Sequence, residues 1–214
     1  MKTRSLIMMT LLAAGAFCRA ADSTAEAIAD AVIKASGGDN WPKVKRIHFT
    51  FNVEQDGKQV MSATHEWDVA KGTDTVTWGG KTATVKLNET GSDENAKAAF
   101  QRWTNDSYWL LAPLKLRDPG TTVTALTPPP AGAEDMDVIQ LKFAAVGLTP
   151  DDVYNLYIDR ATHLVRRWDY MPAPGKKMSG TWEGYQEFGG LKLATEHQFA
   201  DKRITFTDVK VETK

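Results

Sequence analysis

The sequence predicts a mainly β protein with inserted helices, an α+β chain whose strands form one antiparallel sheet curved around those helices. Three observations lead there. Side-chain alternation of period two sets in after Trp41-Pro42 and returns in about ten short runs. Pairs such as Asp56-Gly57, Gly79-Gly80 and Gly189-Gly190 punctuate them as hairpin turns. Helical spacing occurs only near the start and in the middle, without the strand-helix-strand alternation that a parallel sheet needs.

At the start, Lys2 and Arg4 precede an apolar run from Leu6 to Phe17 that is too short to span a bilayer. Cys18-Arg19-Ala20 then places small residues where a signal peptidase needs them, so residues 1–20 are expected to be a cleaved signal peptide and 21–214 one exported, periplasmic domain. Acylation at Cys18 is disfavoured, because bulky Phe17 stands where a lipobox carries a small residue. Ser23-x-x-Glu26 forms a capping box, and Ala25, Ile28, Ala29 and Val32 recur at helical spacing until Gly37-Gly38.

Ile47, Phe49, Phe51 and Val53 then alternate with His48, Thr50 and Asn52, giving one buried and one wet face. Met61, Ala63, His65, Trp67 and Val69, then Val76 and Trp78, then Ala83, Val85 and Leu87 complete a four-strand meander. Ser92 is the expected cap of a helix striped by Ala96, Ala99, Phe100 and Trp103. Asn105-Asp106-Ser107 is expected to break it and start a second, which Pro113 and Pro119-Gly120 stop.

The residues 127–134, with Pro128-Pro129-Pro130, form an exposed loop between a strand around Val123 and one carrying Ile139, Leu141 and Phe143. Thr149-Pro150-Asp151-Asp152 has the grammar of a capped turn. A hairpin follows, with Tyr154, Leu156 and Ile158 on one arm and Leu164 to Tyr170 on the other. Trp182 to Tyr185, Leu191 to Leu193 and Ile204 to Phe206 supply the remaining strands.

The chemistry is narrowed mainly by exclusion. The sole cysteine, Cys18, lies in the expected leader, so disulfides, thiolate catalysis and cysteine-bound metals have no residues to use downstream. The formal net charge is −1, and three of the basic residues, Lys2, Arg4 and Arg19, belong to the leader. The remainder is more acidic, and nothing points to nucleic acid or an anionic membrane surface. No second hydrophobic stretch is long enough to span a bilayer. No His-x-His or His-Glu-x-x-His spacing marks a metal site, no Gly-x-Ser-x-Gly elbow marks a hydrolase, and no glycine pair precedes a helix as a phosphate loop would. Neither enzymatic activity nor a cofactor is expected. Asp151-Asp152 and Glu134-Asp135 fall in turns, where capping or solubility accounts for them.

What remains is an aromatic load on strands and on the segment Trp103 to Asp118, Trp-Thr-Asn-Asp-Ser-Tyr-Trp-Leu-Leu-Ala-Pro-Leu-Lys-Leu-Arg-Asp. It must cover something apolar, either completing a core or closing over a gap between a curved sheet and short helices.

The amphipathic first helix, Gly37-Gly38 before Trp41, the meander, the segment Asn105 to Asp118, Gly147-Leu-Thr-Pro150, Trp168-Asp-Tyr170 and Tyr185 to Gly190 together resemble the LolA-like superfamily of periplasmic lipoprotein carriers. The resemblance extends over nearly all of residues 21–214. It implies an open half-barrel with helices covering its concave face, used to hold a lipid, an acyl chain or the acyl chains of lipoproteins. It also implies an alternative role, docking an envelope protein partner as a sensor. The long Pro-rich loop and the Trp-rich cover depart from the carrier proper, and no cargo-transfer residue aligns.

On this basis Phe49, Phe51, Trp67, Trp78, Trp109, Leu111, Leu114, Trp168 and Trp182 are expected to line a hydrophobic cavity. His65 and His197, each on the apolar face of its strand, are candidate polar anchors. A hydrolase whose residues converge only in three dimensions is a further alternative, favoured if both histidines share a cleft with Glu183.

Overall fold

The computed structural model describes residues 12–89, 93–144 and 147–214, with side chains from residue 24 onward outside those gaps. Residues 1–11 of the expected leader, Ser92 and the side chain of Ser23 lie outside the described part. Helix α1, Leu12–Ala35, runs through the expected cleavage point. It buries Ala25, Ala29 and Val32 against strands β5 (Thr121–Ala125) and β6 (Met136–Phe143), the face its spacing predicts. The helix ends at Gly37, which adopts φ 81°. A Cβ there would meet the Gly190 carbonyl oxygen at 2.1 Å, so only glycine lets the helix end approach this turn. Bonds from Asn40 Nδ2 to Gly190 O (3.0 Å) and from Lys192 N to Ser36 O (3.0 Å) hold the contact.

The strands β1 (Val44–Gln55), β2 (Lys58–Asp68), β3 (Thr73–Trp78) and β4 (Lys81–Lys86) form the expected meander. It continues through β12 (Lys202–Thr213) and β11 (Leu191–Gln198) to β10 (Glu183–Phe188), giving a seven-stranded antiparallel sheet ordered β10-β11-β12-β1-β2-β3-β4. Ile47, Phe49, Phe51 and Val53 point into the core, as alternation requires. The other face is less wet than expected. Asn52 is buried there, accepting from Ser62 (2.8 Å) and donating to Thr207 (3.3 Å).

A second antiparallel sheet, β5-β6-β7-β8-β9, adds β7 (Val153–Asp159), β8 (Val165–Met171) and β9 (Met178–Thr181). The described residues therefore hold twelve strands in two sheets rather than about ten in one. The switch occurs at Trp182. Its N–H bonds Arg166 O (2.8 Å) while the chain turns through Gly184, φ 63°, into the other sheet. Alternation cannot reveal this, because a strand that changes sheets keeps its period. The two sheets form an open, curved half-barrel with helices against it, as the fold class predicts.

Helix α2, Glu94–Leu111, is a single helix with no break at Asn105-Asp106-Ser107. These residues would compete for backbone in isolation. Here Asp106 and Ser107 are buried, and the Asp106 carboxylate is taken by remote His65 and by Asn105 Nδ2. The cap is Asp93, whose carboxylate accepts from Asn95 N and Ala96 N at 2.9 Å each. A 3-10 turn, Ala112–Leu114, contains Pro113 and ends the helix. The Pro-rich loop is not wholly exposed: Ala133 is buried with Val138 and Tyr157 on the outer face of the second sheet.

Three apolar clusters meet at α2. Ala99 and Phe100 pack with Ala63, Val76 and Val85 of the meander. Leu110 and Leu111 join Ile47, Phe49, Phe51 and Leu193. Tyr108 and Trp109 face the second sheet, whose Leu141, Leu156 and Trp168 share a cluster with α1.

Candidate functional site

Between the C-terminal half of α2 and the five-stranded sheet lies a half-open cleft of about 390 Å³. Its walls follow from two periodicities. Trp103, Ser107 and Tyr108 lie on one helical face, while Tyr154 on β7 and Trp168 and Tyr170 on β8 share one face of the sheet. Phe143 at the end of β6 and the segment Gly147 to Thr149 close one side, with Leu148 exposed at the rim. Tyr154 stacks on Tyr170 at 5.0 Å and lies 4.8 Å from Trp168, while Phe143 meets Tyr154 edge-on at 5.7 Å. Lys115 and Asp118 pair at the mouth, 2.8 Å apart.

The wall is mostly aromatic with a few polar atoms, the usual build of a small-molecule site. Three polar atoms of the lining residues, the Tyr108 hydroxyl and the Trp103 and Trp168 indole nitrogens, are buried away from the open space without a hydrogen-bond partner. Tyr170 is satisfied, donating to Asp152 Oδ2 at 2.6 Å. Burial and then the Asp152 carboxylate push its phenol up to about 12. Asp152, read from sequence as a solvated turn residue, is buried and also accepts from Ala173 N at 3.0 Å. Burial would raise its carboxyl, but the Tyr170, Thr149 and Ala173 donors outweigh that and hold it below the usual range.

Of the residues expected to line a cavity, Trp109 and Trp168 stand in this cleft. Phe49, Phe51, Trp67, Leu111 and Leu114 lie in the packed cluster under the seven-stranded sheet, and Trp78 lies beside Ala63 and Phe100. Trp182 is buried behind Trp168, ring centres 5.2 Å apart. Trp103, Tyr108, Phe143, Tyr154 and Tyr170 were not singled out from sequence as lining residues. The signal was present in the strand alternation that puts Tyr154 and Tyr170 on the Trp168 face.

His65 and His197 both face protein partners. His65 donates from Nδ1 to Asp74 Oδ2 (2.6 Å) and from Nε2 to Asp106 Oδ2 (3.1 Å), all three side chains being buried. Burial alone would lower its pKa, yet the hydrogen bonds and charges of Asp106 and Asp74 prevail and raise it. His197 has Nδ1 3.1 Å from Thr181 O and Nε2 3.0 Å from Trp109 O. Burial pushes it down to about 4, so it is neutral and donates to one of the two carbonyls. Glu183 is exposed, and neither histidine bonds to it. Among the described residues no group of three or more His, Cys, Asp or Glu could hold a metal ion.

A second depression, on the outer face of the seven-stranded sheet, is lined by polar side chains that pair with one another: Arg46 with Asp68 and Glu212, and His48 Nδ1 with Glu66 at 2.7 Å. The aromatic cleft is thus the stronger candidate for a ligand site.

No protein-family model matches the chain, and no curated protein matches it. Solved structures do. A DUF1329 family protein from Desulfovibrio piger is 10% identical with TM-score 0.47, over 88% of this chain and 93% of that one. A LolA superfamily protein from Nitrosomonas europaea is 10% identical with TM-score 0.47, over 87% and 94%. A putative outer membrane lipoprotein-sorting protein domain from Vibrio parahaemolyticus is 9% identical with TM-score 0.48, over 88% and 94%. The descriptions of the second and third carry the family names that the sequence resemblance indicated, and the likeness is one of layout alone. Among the described residues no helix is long and apolar enough to cross a membrane.

Proposed function

We propose that this is a periplasmic protein that binds a hydrophobic small molecule or acyl chain in the cleft between α2 and the five-stranded sheet, without chemical conversion of it. The observation that carries the reading is the cleft itself: about 390 Å³, half open, and walled by seven aromatic side chains. Such a volume is at the lower end of the roughly 300–1,000 Å³ range of ligand pockets. The leader-like first twenty residues support the periplasmic address. An acyl chain would gain about 0.8 kcal/mol for each methylene buried, before the cost of ordering it.

The test is native mass spectrometry of protein isolated from the periplasm, followed by solvent extraction and identification of what it releases. A stoichiometric hydrophobic adduct is expected. Protein that arrives empty and takes up no added acyl compound would remove the reading.

A further inference from the structure

The core face of the five-stranded sheet changes character at the cleft. Along that face β6 carries Ile139, Leu141 and Phe143, β7 carries Ile158, Leu156 and Tyr154, and β8 carries Val165, Trp168 and Tyr170. On each strand the residue nearest the cleft is aromatic and the farthest is aliphatic. Of these residues only Phe143, Tyr154, Trp168 and Tyr170 line the opening. Helix α2 sorts its side chains in the same way: Trp103, Tyr108 and Trp109 border the cleft, while Leu110 and Leu111 turn to the cluster under the other sheet. Among the described residues, aliphatic side chains at the opening are limited to Leu148 and Pro119, both exposed.

The sheet rings form a continuous surface. Phe143 and Tyr170 flank Tyr154, one edge-on and the other stacked within 13°. Both are half-buried and line the opening, so each keeps ring surface for a further ring. The bond from Tyr170 to Asp152 fixes that ring before anything binds.

We infer that the ligand is a planar aromatic system of one or two rings, laid against Phe143 and Tyr170; this rests on the cleft being a ligand site. Aromatic pairs attract beyond the area they bury, and an alkyl chain on the same wall lacks that attraction. A rigid ring also gives up little freedom on binding, whereas a chain must freeze its torsions. Size agrees: at about 30 Å³ for a water-sized group, 390 Å³ holds about thirteen such groups, close to a two-ring compound. Ring faces attract cations too, but Asp118, the one carboxylate among the described lining residues, is paired with Lys115 at 2.8 Å.

Three alcohols with the same carbon and oxygen atoms separate ring from chain: 2-naphthalenemethanol, its decahydro form and undecan-1-ol. Delipidated protein would be titrated with each by calorimetry, and with phenyltrimethylammonium. The naphthalene alcohol is expected to bind about fivefold more tightly than either saturated alcohol, even though it is the least apolar of the three. In Phe143→Leu, which keeps the wall apolar, it should lose about fivefold, equivalent to about 1 kcal/mol, while the saturated alcohols change by less than about twofold. The wild-type comparison does not depend on how the variant folds.

Equal or tighter binding of a saturated alcohol, or a variant that loses all three alcohols equally, would overturn the ring inference and leave the cleft standing. Tighter binding of phenyltrimethylammonium than of the naphthalene alcohol would overturn it in favour of a cation cage. Failure of every probe to bind would overturn the cleft reading as well.

Discussion

His65 on β2 and His197 on β11, both of the seven-stranded sheet, hold α2 with opposite responses to acid. The folded pKa of His65 is raised, so what it contributes is complete below its unfolded value of about 6.5 and is lost as pH rises through the folded value. For His197 the folded value is lowered to about 4, so its contribution is complete above about 6.5 and is lost as pH falls toward 4. At about 1.4 kcal/mol per pH unit, that acid-side loss amounts to about 3 kcal/mol. Urea unfolding at several pH values should therefore show a steeper decline from pH 6.5 to 4 in the wild type than in His197→Gln. His65→Gln should instead remove a decline on the alkaline side. Parallel curves for wild type and variants would refute this account. That both histidines lie inside was legible in the alternation of their strands. Their partners were not, since Asp74 is nine residues from His65 and Asp106 forty-one, on a helix judged from sequence to break there.

Helix α2 was half legible for a related reason. Its stripe from Ala96 to Trp103 is local and was read correctly, while its continuation through Asn105-Asp106-Ser107 depends on a tertiary acceptor that local propensity does not contain. The extra turns present Trp109 to Trp168 at 4.4 Å and to Phe199 at 5.6 Å. Trp109→Ala is expected to cost about 3 kcal/mol, within the range for large aromatic truncations, and to empty the cleft of ligand. The fold should persist, because Leu110, Leu111 and Asp106 still anchor the helix and the bond to His197 uses the Trp109 backbone. Native mass spectrometry and near-UV circular dichroism would check both halves. Loss of the tertiary signal would mean that the Trp109 side chain completes a core and does not frame a site.

Across the molecule, the order of strands and turns along the chain followed from alternation and turn residues, but the full number of strands and the division into two sheets did not. Pairing partners are set by distant chain segments, and the crossover at Trp182 depends on Arg166 O and on the positive φ of Gly184. The close approach of α1 to the Gly189-Gly190 turn is equally non-local. Gly37→Ala is expected to destabilise by roughly 2 kcal/mol, because its methyl would collide with backbone, which cannot swing aside, in a conformation unfavourable for alanine. A urea midpoint equal to that of the wild type would refute the proposed contact.

The meeting of three clusters on one helix bears on how anything enters. Lifting α2 would expose Leu110 and Leu111, each worth about 1.5–3 kcal/mol, and would part Asp106 from His65 at about 3–5 kcal/mol more. At 1.4 kcal/mol per factor of ten, such an opened form would be rarer than about one molecule in ten thousand. The helix is therefore a keel and not a hatch. A ligand of the proposed kind would then enter along the rim that Leu148 shares with Lys115 and Asp118, so exchange rates should respond to substitutions there while leaving global unfolding untouched.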